Sequence, residues 1–182
     1  MQEFEKFRQF RWRIYIGGPY SGRKQKDDPD VPAEINTNIQ KARNTALRLA
    51  EMGYSWYCPH LNTCHFEQDC QLPHTHDAYL PPDFSWISCC DAIILTDGWE
   101  GSYGTTQEIE YAKSLNIPVF ETLIDLDRHF KRIDGFISNH EYLQESRENG
   151  ESRFRSWVRE YEKIYNEYIN KKLKQKDSSY GT

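Results

Sequence analysis

The stretch Asp91-Ala92-Ile93-Ile94-Leu95-Thr96-Asp97-Gly98-Trp99-Glu100-Gly101-Ser102-Tyr103-Gly104-Thr105 decides the fold. Asp91 to Leu95 carries an unbroken apolar run, which suits a strand buried on both faces of a parallel sheet. Three glycines follow between Thr96 and Gly104, and from Thr105 onward Ile109, Ala112 and Leu115 fall on one helical stripe. Upstream the order repeats. Arg13 to Gly17 is β-branched and aromatic and runs into Gly17-Gly18-Pro19-Tyr20-Ser21-Gly22. Lys24 to Pro32 reads as a charged, flexible loop. From Ile35 to Ala50 apolar residues recur at steps of three and four, and Gly53 stands where a C′ glycine stops a helix.

Between these halves, Tyr54 to Cys58 reads as a second strand, Pro59 to Pro82 as an irregular insertion or lid, and Asp83 to Ser88 as a short helix. Ile117 to Phe120 is a fourth strand. This alternation predicts a Rossmann-like or flavodoxin-like α/β domain over residues 1–123, a parallel sheet flanked by helices. Its ligand sites should lie beyond the carboxyl ends of the strands. The extension 124–182 reads as a polar connection, Asp125 to Gly150, and an appended amphipathic helix between Phe154 and Leu173. Its apolar face suits packing on its own domain or, alternatively, a homodimer or higher oligomer.

Composition narrows the partners. The 182 residues carry a net charge of −5 with acidic groups spread along the chain, which disfavours a nucleic-acid polymer as ligand. A 14 % aromatic share argues for a packed core. No apolar run approaches the roughly 18 residues of a membrane span, and the first residues lack the pattern of a secretory signal. Five cysteines, two of them adjacent, make a poor disulfide framework, so reduced thiols and a cytoplasmic location are expected.

Three segments should meet at one sheet edge: the first glycine turn, Asp83-Phe84-Ser85-Trp86, and Gly101 to Glu108. Glycine turns feeding helix N-termini favour anions, since the first-turn amides lack internal partners. Neither turn is a G-x-G-x-x-G fingerprint or a P-loop. Glu108 admits two readings. Thr105-Thr106-Gln107-Glu108 fits a capping box. At the ligand edge, with Asp83 and Asp97 brought near it, the same glutamate could share acid and nucleophile roles with a second carboxylate. Cys58, His60, Cys64, His65, Cys70, His74 and His76 could attract zinc, but their spacing does not match short structural knuckles, and the segment reads better as a substrate lid.

Asp83 to Ile94, followed by Gly104-Thr105-Thr106-Gln107-Glu108-Ile109-Glu110-Tyr111-Ala112, resembles the nucleoside 2-deoxyribosyltransferase superfamily, which includes 2′-deoxynucleoside 5′-phosphate N-glycosidases. The resemblance covers roughly residues 13 to 120. It implies Glu108 as nucleophile and Asp83 as the carboxylate that helps the base leave. It also implies Ser102 at a 5′-phosphate, Gly17, Gly18 and Tyr20 against sugar and base, a small nucleoside or nucleotide as partner, and no metal or organic cofactor. Ser21, Asp97 and Gly104 complete the expected binding set. Two departures stand out: Glu110 replaces a usual glycine, and the first loop lacks an arginine, with Arg23 the nearest substitute. They leave a catalytically silent nucleotide-binding module as the alternative, and a zinc-stabilised interaction domain behind it.

Overall fold

A computed structural model describes residues 11–21, 31–69, 76–138, 158–159 and 163. Strands β1 (Arg13–Gly17), β2 (Ser55–Tyr57), β3 (Ala92–Leu95) and β4 (Val119–Phe120) form one parallel sheet in the order β2-β1-β3-β4. Tyr15 lies opposite Tyr57 on one side and Ile93 on the other, and Gly17 opposite Leu95. The chain leaves β1 toward β2, then returns past it to β3. The strand order therefore reverses between β1 and β3, where a doubly wound sheet opens its crevice.

Helix α1 (Val31–Glu51) buries Ile35, Ile39, Ala42, Ala46 and Leu49, the stripe read from the sequence. It begins four residues before that stripe, with Pro32 in a first turn that needs no amide donor there. Gly53 is left-handed at φ 85° and ends the helix as expected. Short helices α2 (Pro59–Asn62) and α3 (Phe66–Asp69) lead to α4 (His76–Cys89), and α5 (Tyr103–Ser114) joins β3 to β4. On one face of the sheet Tyr15, Ile93 and Leu95 pack with Ile87 of α4 and Ile109 and Ala112 of α5. Ile14 and Ile16 alternate to the other face.

Three expectations need correction. The segment 59–82 is not wholly irregular: it holds α2, α3 and the first half of α4. Helix α4 continues through Pro81 and Pro82, which was read as its boundary. Each proline withholds a backbone donor, and the helix is carried through them by packing: Ile87 is fully buried, and Phe84 stacks on Tyr111 of α5 with ring centroids 4.4 Å apart. The polar connection from Asp125 is, up to Ser138, the body of a helix, α6 (Leu123–Ser138). Its sparse apolar residues Leu126, Phe130 and Ile133 fall on one stripe and are buried.

The chain forms two compact units, Met1–Ile133 and Asp134–Thr182, with the division inside α6. Phe130 stacks on Trp12 at 4.6 Å, and Tyr54 donates to Asp127 Oδ1 at 3.1 Å, which ties this part of α6 to the first unit. The C-terminal helix read over 154–173 lies outside the described residues except at 158, 159 and 163. Among the described residues no helix is long and apolar enough to cross a membrane. Phe130→Ala should destabilise the protein by about 3 to 5 kcal/mol in urea unfolding, whereas Ile124→Ala, at a position 70 % exposed, should change it by less than about 0.5 kcal/mol.

Candidate functional site

Helix α5 starts at Tyr103, two residues before the Thr105 read as its opening. Its N-cap is Ser102, whose Oγ accepts from the Thr105 amide at 3.3 Å and from the Thr105 hydroxyl at 2.9 Å. The capping-box reading of Thr105 and Glu108 is thereby overturned: Glu108 stands in the second turn, beyond the reach of the cap. It shares a buried stripe with Thr105, Ile109 and Ala112, a carboxyl group where a core helix would carry an apolar residue.

The carboxyl is held from β1. The Tyr15 hydroxyl donates to Glu108 Oε1 at 2.7 Å. Oε2 is buried without a hydrogen-bond partner and lies over Gly17, where an added β-carbon would stand 3.1 Å from it. A β-carbon there would crowd that oxygen. Burial pushes the Glu108 carboxyl up to about 8, with the Asp83 charge adding to the rise and Tyr15 opposing it. Asp83, on α4 and one turn before the fully buried Ile87, is likewise raised by burial, to about 7, and Tyr15 again opposes. Burial and these carboxylates hold Tyr15 itself far above the usual phenol range, so it remains a donor. Two proton-retaining carboxyls thus flank one hydroxyl at the carboxyl edge of the sheet.

Around this core Tyr57 packs between Tyr15 and Trp86, with centroids 5.9 and 4.4 Å away, and Trp86 remains half exposed. Gly18 packs so closely on Thr96 that a β-carbon would meet its hydroxyl at 1.9 Å. Tyr20 is engaged twice, its carbonyl accepting from Asn38 Nδ2 at 3.1 Å and its hydroxyl from the His65 amide at 2.9 Å. Ser21 is exposed, and Gly104 lies in the first turn of α5. The structure brings Glu108, Asp83 and Gly17 together. It does not bring Asp97 to them. That residue is exposed on an open groove of about 600 Å³ with Lys41, Arg48 and Glu121, and its carbonyl accepts from Lys41 Nζ.

Glu110, the departure from the usual glycine, points to solvent and accepts from Gln107 Nε2 at 3.4 Å. Among the described residues no three His, Cys, Asp or Glu side chains group as metal ligands, and Cys58, Cys64, Cys89 and Cys90 are not joined in disulfides. Cys70, His74 and Arg23 lie outside the described residues, as does the side chain of His76. Sequence motifs do not single out Tyr15, and they offer His60 only as one member of the Cys/His cluster. Alternation in RIYIG sets Tyr15 apart from Ile14 and Ile16, and a buried tyrosine needs a partner for its hydroxyl, which was the available signal.

Fold and site together define a doubly wound α/β domain with a paired-carboxyl centre at its switch point. The chain belongs to the family described as a domain of unknown function (DUF4406), whose model matches residues 12–121. No curated protein and no solved structure matches it significantly.

The raised carboxyls give a pH signature. Between the ordinary carboxylate range and pH about 8, the folded state binds more protons than the unfolded chain. Stability therefore falls as pH rises through that window, and the penalty is absent below it. Glu108→Gln removes one contributor and should raise unfolding free energy at pH 9 by about 1 to 2 kcal/mol, with no gain at pH 4, measured by urea denaturation at both values.

Proposed function

We propose that the protein cleaves or transfers the N-glycosidic bond of a nucleoside, deoxynucleoside or nucleoside 5′-monophosphate. The observation that carries this reading is the Glu108 carboxyl, with one oxygen held by Tyr15 and the other left unpartnered over Gly17. Oε2 attacks C1′ as the bond to the base nitrogen breaks, and the bonding pair leaves with the base. Asp83 supplies the proton that neutralises the leaving nitrogen, a task suited to a carboxyl that burial raises to about 7, where it can both hold and give up a proton near neutral pH. Water, or a second base, then attacks C1′ and releases Glu108, and the proton lost by that nucleophile returns to Asp83. Hydrolysis and transfer differ only in this second nucleophile.

Burial raises Glu108 further than Asp83, to about 8 against about 7, so a proton shared by the pair rests mainly on Glu108. The Tyr15 hydrogen bond opposes this by favouring the ionised glutamate, and turnover runs through the state in which that proton sits on Asp83. Ser102 accepts twice from Thr105, so its own hydroxyl hydrogen remains to donate outward, beside the amides that open α5. That arrangement suits a 5′-phosphate or a 5′-hydroxyl. The resemblance to the deoxyribosyltransferase superfamily supports the same assignment. Since Glu110 faces solvent, its replacement of glycine gives no reason to read the domain as silent.

Base release from a panel of nucleosides and monophosphates tests the reading. Glu108→Ala should lower kcat by at least about a thousandfold while the protein stays folded. Asp83→Asn should slow substrates with poor leaving bases more than activated ones, because it keeps the size but loses the proton. Ser102→Ala should lower kcat/KM for monophosphates about tenfold relative to their nucleosides, the loss of one charge-assisted hydrogen bond. Full turnover by folded Glu108→Ala would dismiss the nucleophile.

A further inference from the structure

The segment after β2 does something that neither a metal site nor a loose lid would do. His60 is 4 % exposed and sits in α2, and its Nε2 lies 2.9 Å from the Pro19 carbonyl in the first glycine turn. A carbonyl can only accept, so Nε2 carries the hydrogen and donates. Nδ1 is then a bare acceptor, buried with no hydrogen-bond partner. Such an orphan acceptor in the interior is costly, and its persistence calls for a compensating role. Five residues later His65 is held at φ 61°, a left-handed backbone uncommon for a residue other than glycine. In that conformation its amide donates to the Tyr20 hydroxyl at 2.9 Å. Asn38 of α1, itself 6 % exposed, donates to the Tyr20 carbonyl at 3.1 Å. The rings of Tyr20 and His60 stand 5.9 Å apart.

Three separate elements thus hold two consecutive residues of one turn. That turn leaves Gly17, which borders Glu108 Oε2, and passes Gly18, which is packed against Thr96. We propose that His60 is a positioning residue, the centre of a clasp that fixes the Gly18-Pro19-Tyr20 wall beside Glu108 and so sets how tightly the substrate sugar is held. The inference rests on the proposed glycosidic chemistry for its kinetic consequence, but the clasp itself is independent of it. His60 does not touch the reacting atoms. It acts through the Pro19 carbonyl, which in its absence would be a buried acceptor without a donor and would pull the turn toward water.

The variants His60→Ala, His60→Gln and Tyr20→Phe separate the possibilities. Glutamine places an amide donor near the former Nε2 and should retain the bond to Pro19, whereas alanine cannot. In the protein without ligand, hydrogen exchange of the His65 amide should accelerate at least about tenfold in Tyr20→Phe and His60→Ala and stay near wild type in His60→Gln. In base-release kinetics, KM should rise about five- to tenfold in His60→Ala with kcat within about twofold, and return toward wild type in His60→Gln. A merely structural histidine would lower the melting temperature and leave KM of the folded protein unchanged. Unaltered exchange in His60→Ala overturns the clasp, and altered exchange with unaltered KM overturns the positioning role. A wild-type protein that releases no base overturns the reading of the site and the kinetic role with it, while the exchange experiment still decides on the clasp.

Discussion

A carboxyl group 7 % exposed on the buried stripe of a helix is the constraint on which the rest depends. An ionised carboxylate there is costly unless paired or hydrogen-bonded, and Glu108 has one hydrogen bond, from Tyr15. That bond fixes the register of β1 against α5. Side chains alternate along a strand, so placing Tyr15 inward also places Gly17 inward, two residues on, beneath the second oxygen. A slip of one residue would turn Ile14 and Ile16 toward the carboxyl and leave it without a donor. The RIYIG run is therefore two patterns at once: isoleucines for one face of the sheet, tyrosine and glycine for the other.

How much of this was readable from the chain depends on how local the deciding physics was. Arg13–Gly17 and the apolar run at Ala92–Leu95 form the strands expected of them, since β-branched residues bounded by glycine leave few alternatives. The α1 stripe and its glycine stop also follow from spacing alone. Helix α6 escaped because four buried residues, Leu126, Phe130, Ile133 and Ile137, among aspartates, arginines and a lysine give a weak compositional signal, although their spacing is helical. Helix α4 escaped for the opposite reason. Pro81-Pro82 is a strong local stop signal, overridden by the packing of Phe84 and Ile87 that no local reading contains.

The site divides in the same way. Glu108 and Asp83 could be singled out by motif, and the structure sets both beside Tyr15. Asp97 could not be sorted from them, because a residue at the end of β3 can turn toward either face of the sheet, and this one lines the groove beside α1. The choice between cap and carboxyl centre turned on where α5 begins, a matter of two residues at which Ser102 and Thr105 are both good N-caps by type. His60 was visible only as one member of a Cys/His cluster. Its partner is a backbone carbonyl 41 positions away, and main-chain partners leave no trace in residue identity.

The sheet described here has short margins. Among the described residues its outer strands are β2, with three residues, and β4, with two. An outer strand recruits another chain through its row of unpaired amides and carbonyls, and rows this brief offer only one or two such bonds. Extension of the sheet from molecule to molecule is therefore a poor route to self-association for this domain. At these two margins, contacts between copies fall to side chains on the neighbouring helices and turns, whose specificity is set by shape and charge and not by the common pattern of the backbone.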